Sequence, residues 1–73
     1  MQLLDVIRLT RDLPGAPRGT VGTIVAVLDG PPPAFEVEVV GPNGETIALV
    51  TAEVADVELL HALLVPRTPE PQP

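Results

Sequence analysis

Phe35-Glu36-Val37-Glu38-Val39 alternates apolar and acidic residues. A period of two belongs to a β-strand with one face on a core and the other in water. The reading turns Phe35, Val37 and Val39 inward and leaves Glu36 and Glu38 on a solvent face. No helical register reproduces this pattern, so the chain is read outward from here as a β protein.

Downstream, Gly41-Pro42-Asn43-Gly44 places a proline and an Asn-Gly pair between two β-rich runs. Asn and Gly tolerate positive φ, which makes this a hairpin signal, with a fourth strand from Glu45 to Thr51. Upstream, Asp29-Gly30-Pro31-Pro32-Pro33 is a break, because successive prolines cannot donate to a ladder. Before it, Thr20 to Leu28 is dense in β-branched residues and reads as the second strand, with Gly22 marking a bulge or a close backbone approach. Leu4 to Thr10 reads as the first strand, followed by a loop, Asp12 to Gly19, punctuated by Pro14, Gly15, Pro17 and Gly19.

From Ala52 the pattern divides. Val54, Val57, Leu60 and Leu64 would line a helix face, whereas Val57-Glu58-Leu59-Leu60 would equally make a short strand. A short turn near Glu53 to Asp56 and then a fifth strand is the favoured reading. The end, Pro66 to Pro73, has proline at 66, 69, 71 and 73, and is expected to be a flexible, extended tail. Its Pro66-Arg67-Thr68-Pro69 has the outline of a PxxP ligand, but the disordered-end reading takes precedence. About five short strands with tight hairpins predict an all-β fold, a small SH3-like barrel over residues 1–65, with the tail at 66–73.

The 73 residues supply one aromatic side chain, Phe35, and no cysteine, tryptophan or tyrosine. A domain of this size buries only about 60% of its unfolded surface. The core is therefore expected to be thin and aliphatic, held by packing without disulfides. Nothing resembles a signal peptide or a membrane span, so a cytoplasmic protein that does not engage membranes is expected.

Ten carboxylates stand against Arg8, Arg11, Arg18 and Arg67, for a formal net charge of −6 without a single lysine. Nucleic acid would be repelled, since non-specific affinity for it comes from basic residues on phosphates; a basic protein would be attracted. Arg8, Arg11 and Arg18 would make a weak cationic cluster around the first loop, with no aromatic neighbour for base stacking.

Catalytic chemistry is missing from the pattern. His61 is the only histidine and stands beside Leu60 without a placed carboxylate or thiol, so a surface or interface role outweighs a catalytic or metal role. The aspartates and glutamates show neither calcium-loop spacing nor an acid/base pair, and Glu36 and Glu38 read first as a solvated face that attracts a basic partner. Gly19 and Gly22 do not make a phosphate loop, which needs a following helix and usually a lysine. The oddity is Leu59 to Val65, where a barrel closed near Leu60 leaves little interior for Leu63, Leu64 and Val65. Either these continue the fifth strand or they form an interface with a second copy or a partner.

Arg18-Gly19-Thr20-Val21-Gly22-Thr23-Ile24-Val25 resembles the G-x-x-G-x-V bend of KOW-type and related SH3-like barrels, in which a glycine lets the second strand curl across the core. More broadly, Leu3-Leu4-Asp5-Val6, Leu9-Thr10, Asp12-Leu13-Pro14, Gly19 to Val25, Phe35 to Val39 and Ala48-Leu49-Val50-Thr51 resemble a bacterial family of small SH3-like proteins of unknown function. The resemblance spans roughly residues 3 to 60. It implies the fold and brings no activity, cofactor or site residue.

The expected function is a non-enzymatic protein-interaction module of a regulatory, antitoxin-like or immunity-like kind, without cofactor or metal. Its expected interface is Glu36, Glu38, Leu63, Leu64 and Val65, facing a protein partner or another copy of the chain. Two alternatives are a KOW-type nucleic-acid-binding barrel and an accessory subunit of a larger enzyme.

Overall fold

The structure is a computed structural model that describes residues 1–61. It is all-β: five antiparallel strands form one sheet in the order β4-β3-β2-β1-β5. They are β1 (Val6–Leu9), β2 (Val21–Leu28), β3 (Ala34–Val40), β4 (Thr46–Glu53) and β5 (Val57–His61), with one 3-10 turn, Val54–Asp56, between the last two. The turn falls where the sequence placed it. The helix alternative fails over 57–61 because that segment pairs with β1, Leu9 opposite Val57 and Arg8 opposite Glu58. Such a partner lies too far along the chain for local periodicity to reveal.

The alternation in β3 organises the core. Phe35, Val37 and Val39 are buried and stand opposite Ala52, Val50 and Ala48 of β4. Ile24 of β2 is opposite Val37. Ile7 and Leu9 of β1, Val57 of β5 and Ala16 of the first loop complete an aliphatic interior around one phenylalanine. That loop folds inward, since Leu13 and Ala16 exchange backbone hydrogen bonds of 2.9 and 3.0 Å.

Gly22 is where β2 presses hardest on its neighbour. A Cβ there would lie 2.5 Å from Val37 Cγ1 and 2.8 Å from the Glu38 carbonyl oxygen. The close-approach reading of Gly22 is thus the right one, and the bulge lies further on, where Val25 is skipped between Ile24 opposite Val37 and Ala26 opposite Glu36. The hairpin between β3 and β4 uses its glycines as expected: Gly44 adopts φ +84°, and the Gly41 amide donates to the Glu45 carbonyl at 2.7 Å.

The first strand is shorter than the sequence suggested. Leu4 has φ +69° and belongs to a turn in which the Gln2 amide donates to Asp5 Oδ2 at 2.9 Å and the Asp5 amide to the Gln2 carbonyl at 3.2 Å. A short carboxylate that captures a nearby amide competes with strand backbone, which is why the ladder begins only at Val6. The proline-rich turn, 29–33, is exposed as expected. Leu63, Leu64, Val65 and the tail from Pro66 lie outside the described residues.

Gly22→Ala is expected to destabilise the protein by about 2 kcal/mol, the cost typical of forcing an extra methyl into a packed site. Equilibrium urea unfolding measures it, and a midpoint equal to that of the wild type would show that β2 and β3 can separate at no cost.

Candidate interaction surface

The outer face of β3 and β4 is built from one register. Glu38 is directly opposite Leu49 and Glu36 opposite Thr51, so all four side chains share a face, continued on β2 by Thr23 and Ala26. Glu36 and Glu38 stand on this outer face, each with intermediate exposure. Each accepts a cross-strand hydrogen bond: Thr51 Oγ1 donates to Glu36 Oε2 at 3.0 Å, and Thr46 Oγ1 donates to Glu38 Oε2. Each carboxylate is thus held in place by a hydroxyl. Neither meets a basic side chain among the described residues.

The basic residues are engaged elsewhere. Arg8 pairs with Glu58 across β1 and β5, with Nη2 2.6 Å from Oε2, and Arg11 Nε donates to Asp56 Oδ1 at 2.5 Å. The expected cationic cluster around the first loop therefore does not form, because two of its three members are neutralised by acids from the far end of the domain. Arg18 remains in the loop, its backbone amide donating to Asp12 Oδ1 at 2.7 Å.

Sequence reading missed two buried acids. Asp56 is enclosed under the 3-10 turn, accepting from Arg11 through Oδ1 and from the Glu53 amide through Oδ2 at 2.9 Å. Around it, the Thr10 amide donates to the Asp56 carbonyl at 2.8 Å and Thr10 Oγ1 to the Ala55 carbonyl at 3.1 Å. The hydrogen bond from Arg11, helped by that from the Glu53 amide, holds the Asp56 carboxyl below the usual aspartate range, against the opposing effect of burial. Asp5 is buried as well, and its Oδ1 has no hydrogen-bond partner among the described residues. Their only sequence signal is an aspartate beside apolar residues; Asp5 takes the local Gln2 amide, whereas the charged partner of Asp56 comes from 45 positions away.

Exposed apolar side chains occur along β2, at Val21, Val25, Val27 and Leu28, and on both edge strands, and the two most exposed are on β4. On β4, Ile47 is 60% and Leu49 62% exposed; on β5, Leu59 and Leu60 are exposed too. These last two begin the apolar run read from sequence as surplus, and Leu60 is the residue skipped where Ile7 pairs with Leu59 and Val6 with His61. No cavity and no cluster of three or more His, Cys, Asp or Glu side chains occurs among the described residues, and none of their helices is long and apolar enough to cross a membrane.

The chain belongs to the family described as a domain of unknown function, DUF4926, whose model matches residues 3–61. No curated protein and no solved structure matches it.

The Asp56 arrangement gives stability a sign in pH. A carboxylate whose folded pKa is depressed stabilises the fold above its unfolded pKa, near 3.9, and loses that contribution as pH falls through the lower folded value. Asp56→Asn keeps an acceptor for the Glu53 amide but loses the charge facing Arg11. The variant is expected to be less stable than the wild type at pH 7, with the gap closing below about pH 3.9; denaturation across that range would refute the assignment by finding a gap independent of pH.

Proposed function

We propose that this chain is an SH3-like barrel that works as a non-enzymatic protein-interaction module in the bacterial cytoplasm. Its acidic β3–β4 face, with Glu36 and Glu38, and its C-terminal apolar segment, with Leu63, Leu64 and Val65, receive a basic protein in a regulatory role of antitoxin or immunity type. The strand order supports the barrel, since a meander of four strands whose fifth returns to pair with the first is the topology expected of it. The resemblance of the 19–25 bend to KOW-type barrels points the same way, as does the observed closeness of β2 to β3 at Gly22.

The observation that carries the functional reading is the pair of glutamates fixed by threonines without a cationic partner among the described residues, beside Leu49 and Ile47. Carboxylates already held in one geometry lose less conformational freedom when a partner's lysine or arginine arrives. A net charge of −6 speeds the approach of a basic protein and slows that of nucleic acid.

Affinity capture with the full chain, compared with its Glu36→Gln/Glu38→Gln double variant, tests this. The wild type is expected to retain a basic protein in a salt-sensitive manner, and the double variant to lose at least tenfold of it. Retention of RNA or DNA in place of protein, or equal retention by both chains, would remove the proposal.

A further inference from the structure

The sheet's two edges differ. β5 carries Glu58 as its second residue, ion-paired to Arg8, whereas β4 runs Thr46-Ile47-Ala48-Leu49-Val50-Thr51-Ala52 without a charge or a proline until Glu53. Among the described residues β4 pairs with β3 alone, leaving its outer side without a strand partner there. Proteins ordinarily protect such an edge with lysine, proline, a bulge or a covering element. Here a bulge at Ile47 irregularises one end, between Ala48 opposite Val39 and Thr46 opposite Val40, while Ala48 to Glu53 stays in regular register with β3. A regular edge of six residues, uncharged over the five from Ala48 to Ala52, is long enough to template another strand.

The flanking charge decides what that strand is. A second copy is disfavoured: two β4 edges side by side would merge two faces that each carry Glu36, Glu38 and Glu53, none of them paired with a basic residue among those described. Pairing centred on Leu49 would also set Glu45 against Glu53 at both ends, and like charges directly opposite one another are destabilising. The chain's own residues beyond His61 suit the edge poorly, since prolines at 66, 69, 71 and 73 cannot donate to a ladder. An extended segment with alternating basic residues suits it well. Its backbone would complete β4, its apolar side chains would fall on the core side with Val50 and Ala52, and its basic side chains would share the face of Leu49, two strand spacings, roughly 10 Å, from Glu36 and Glu38 on β3, a gap that an arginine and a glutamate span together.

We infer that β4 is a strand-addition edge for an extended, arginine- or lysine-bearing segment of another protein, whose basic side chains are read by Glu36 and Glu38. This rests on the interaction-module reading and adds where, and in what conformation, the partner binds.

The test uses the full chain, isotopically labelled for amide NMR, and the peptide Lys-Val-Arg-Val-Lys-Val-Arg, with its all-glutamate counterpart as control. The basic peptide is expected to slow hydrogen exchange of amides within 46–53, and Leu49→Lys to weaken its binding at least tenfold. Because Leu49 is 62% exposed, the variant should keep the wild-type spectrum away from β4. The inference is overturned if the peptide leaves β4 exchange unchanged or protects β5 instead. It is equally overturned if the free chain already protects the β4 edge, through a second copy or through its own residues 62–73. A captured basic protein that leaves β4 amides unprotected would sink the edge and spare the module; peptide protection of β4 without any captured protein would sink the module and spare the edge.

Discussion

The fold depends on how near the backbones of β2 and β3 come to each other at Gly22. The residues available for a core are Val, Ile, Leu and Ala around a single Phe35, and side chains of that size cannot fill a wide gap between layers. The sheet must therefore curl tightly. Gly22 removes the one side chain that would collide with Val37 and with the Glu38 backbone, and Val25, skipped in the ladder three residues later, adds the local bend and twist that a bulge supplies. Between them these two positions let β2 serve both parts of the sheet, pairing with β1 at its start and with β3 along its length. Buried Ile24, directly opposite Val37, lies between them and joins the two parts into one core.

A second constraint keeps the ends together. The 3-10 turn that carries the chain from β4 to β5 is tied to the beginning of the first loop by Thr10 and Arg11, through the carbonyls of Ala55 and Asp56 and the Asp56 carboxylate. These contacts continue the pairing of Leu9 with Val57, so the strand that ends the sheet is fixed by the residues that leave β1. A buried carboxylate is costly when unpaired, and at Asp56 both oxygens are satisfied. Asp5 is the contrast, with one oxygen bound to the Gln2 amide and the other without a partner among the described residues.

What was legible in the sequence was the part encoded by neighbours. Phe35 to Val39 announced its strand because the two faces differ in chemistry every second residue, and Gly41 to Gly44 announced its hairpin because few residues accept that backbone. What was not legible depended on contacts tens of residues apart. Leu59 and Leu60 fit a helix or a strand until β1 is seen beside them, and Asp56 looks like any turn aspartate until Arg11 arrives from 45 positions away. Leu4 was read as strand for the opposite reason, since a local contact, the Asp5 carboxylate on the Gln2 amide, overrode its apolar character. Glu36 and Glu38 were placed on the correct face, but their threonine partners on β4 became visible only with the register.

That register also bears on why the face is arranged as it is. Had Glu36 and Glu38 served only to keep the sheet hydrated, side chains free to move in water would do as well, and cross-strand hydroxyls would add nothing to that role. Hydrogen bonds from Thr46 and Thr51 restrict those side chains, and ordering a long side chain costs entropy that hydration does not return. The same two strands leave Leu49 and Ile47 in the open, where a lysine would have protected the edge and offset the nearby acids. An acidic pair held by hydroxyls, an apolar edge left uncharged and two arginines, Arg8 and Arg11, committed to the opposite end of the sheet are individually unremarkable. Together, among the described residues, they leave a surface without a charge partner or an outer backbone partner, and one extended basic strand would satisfy both.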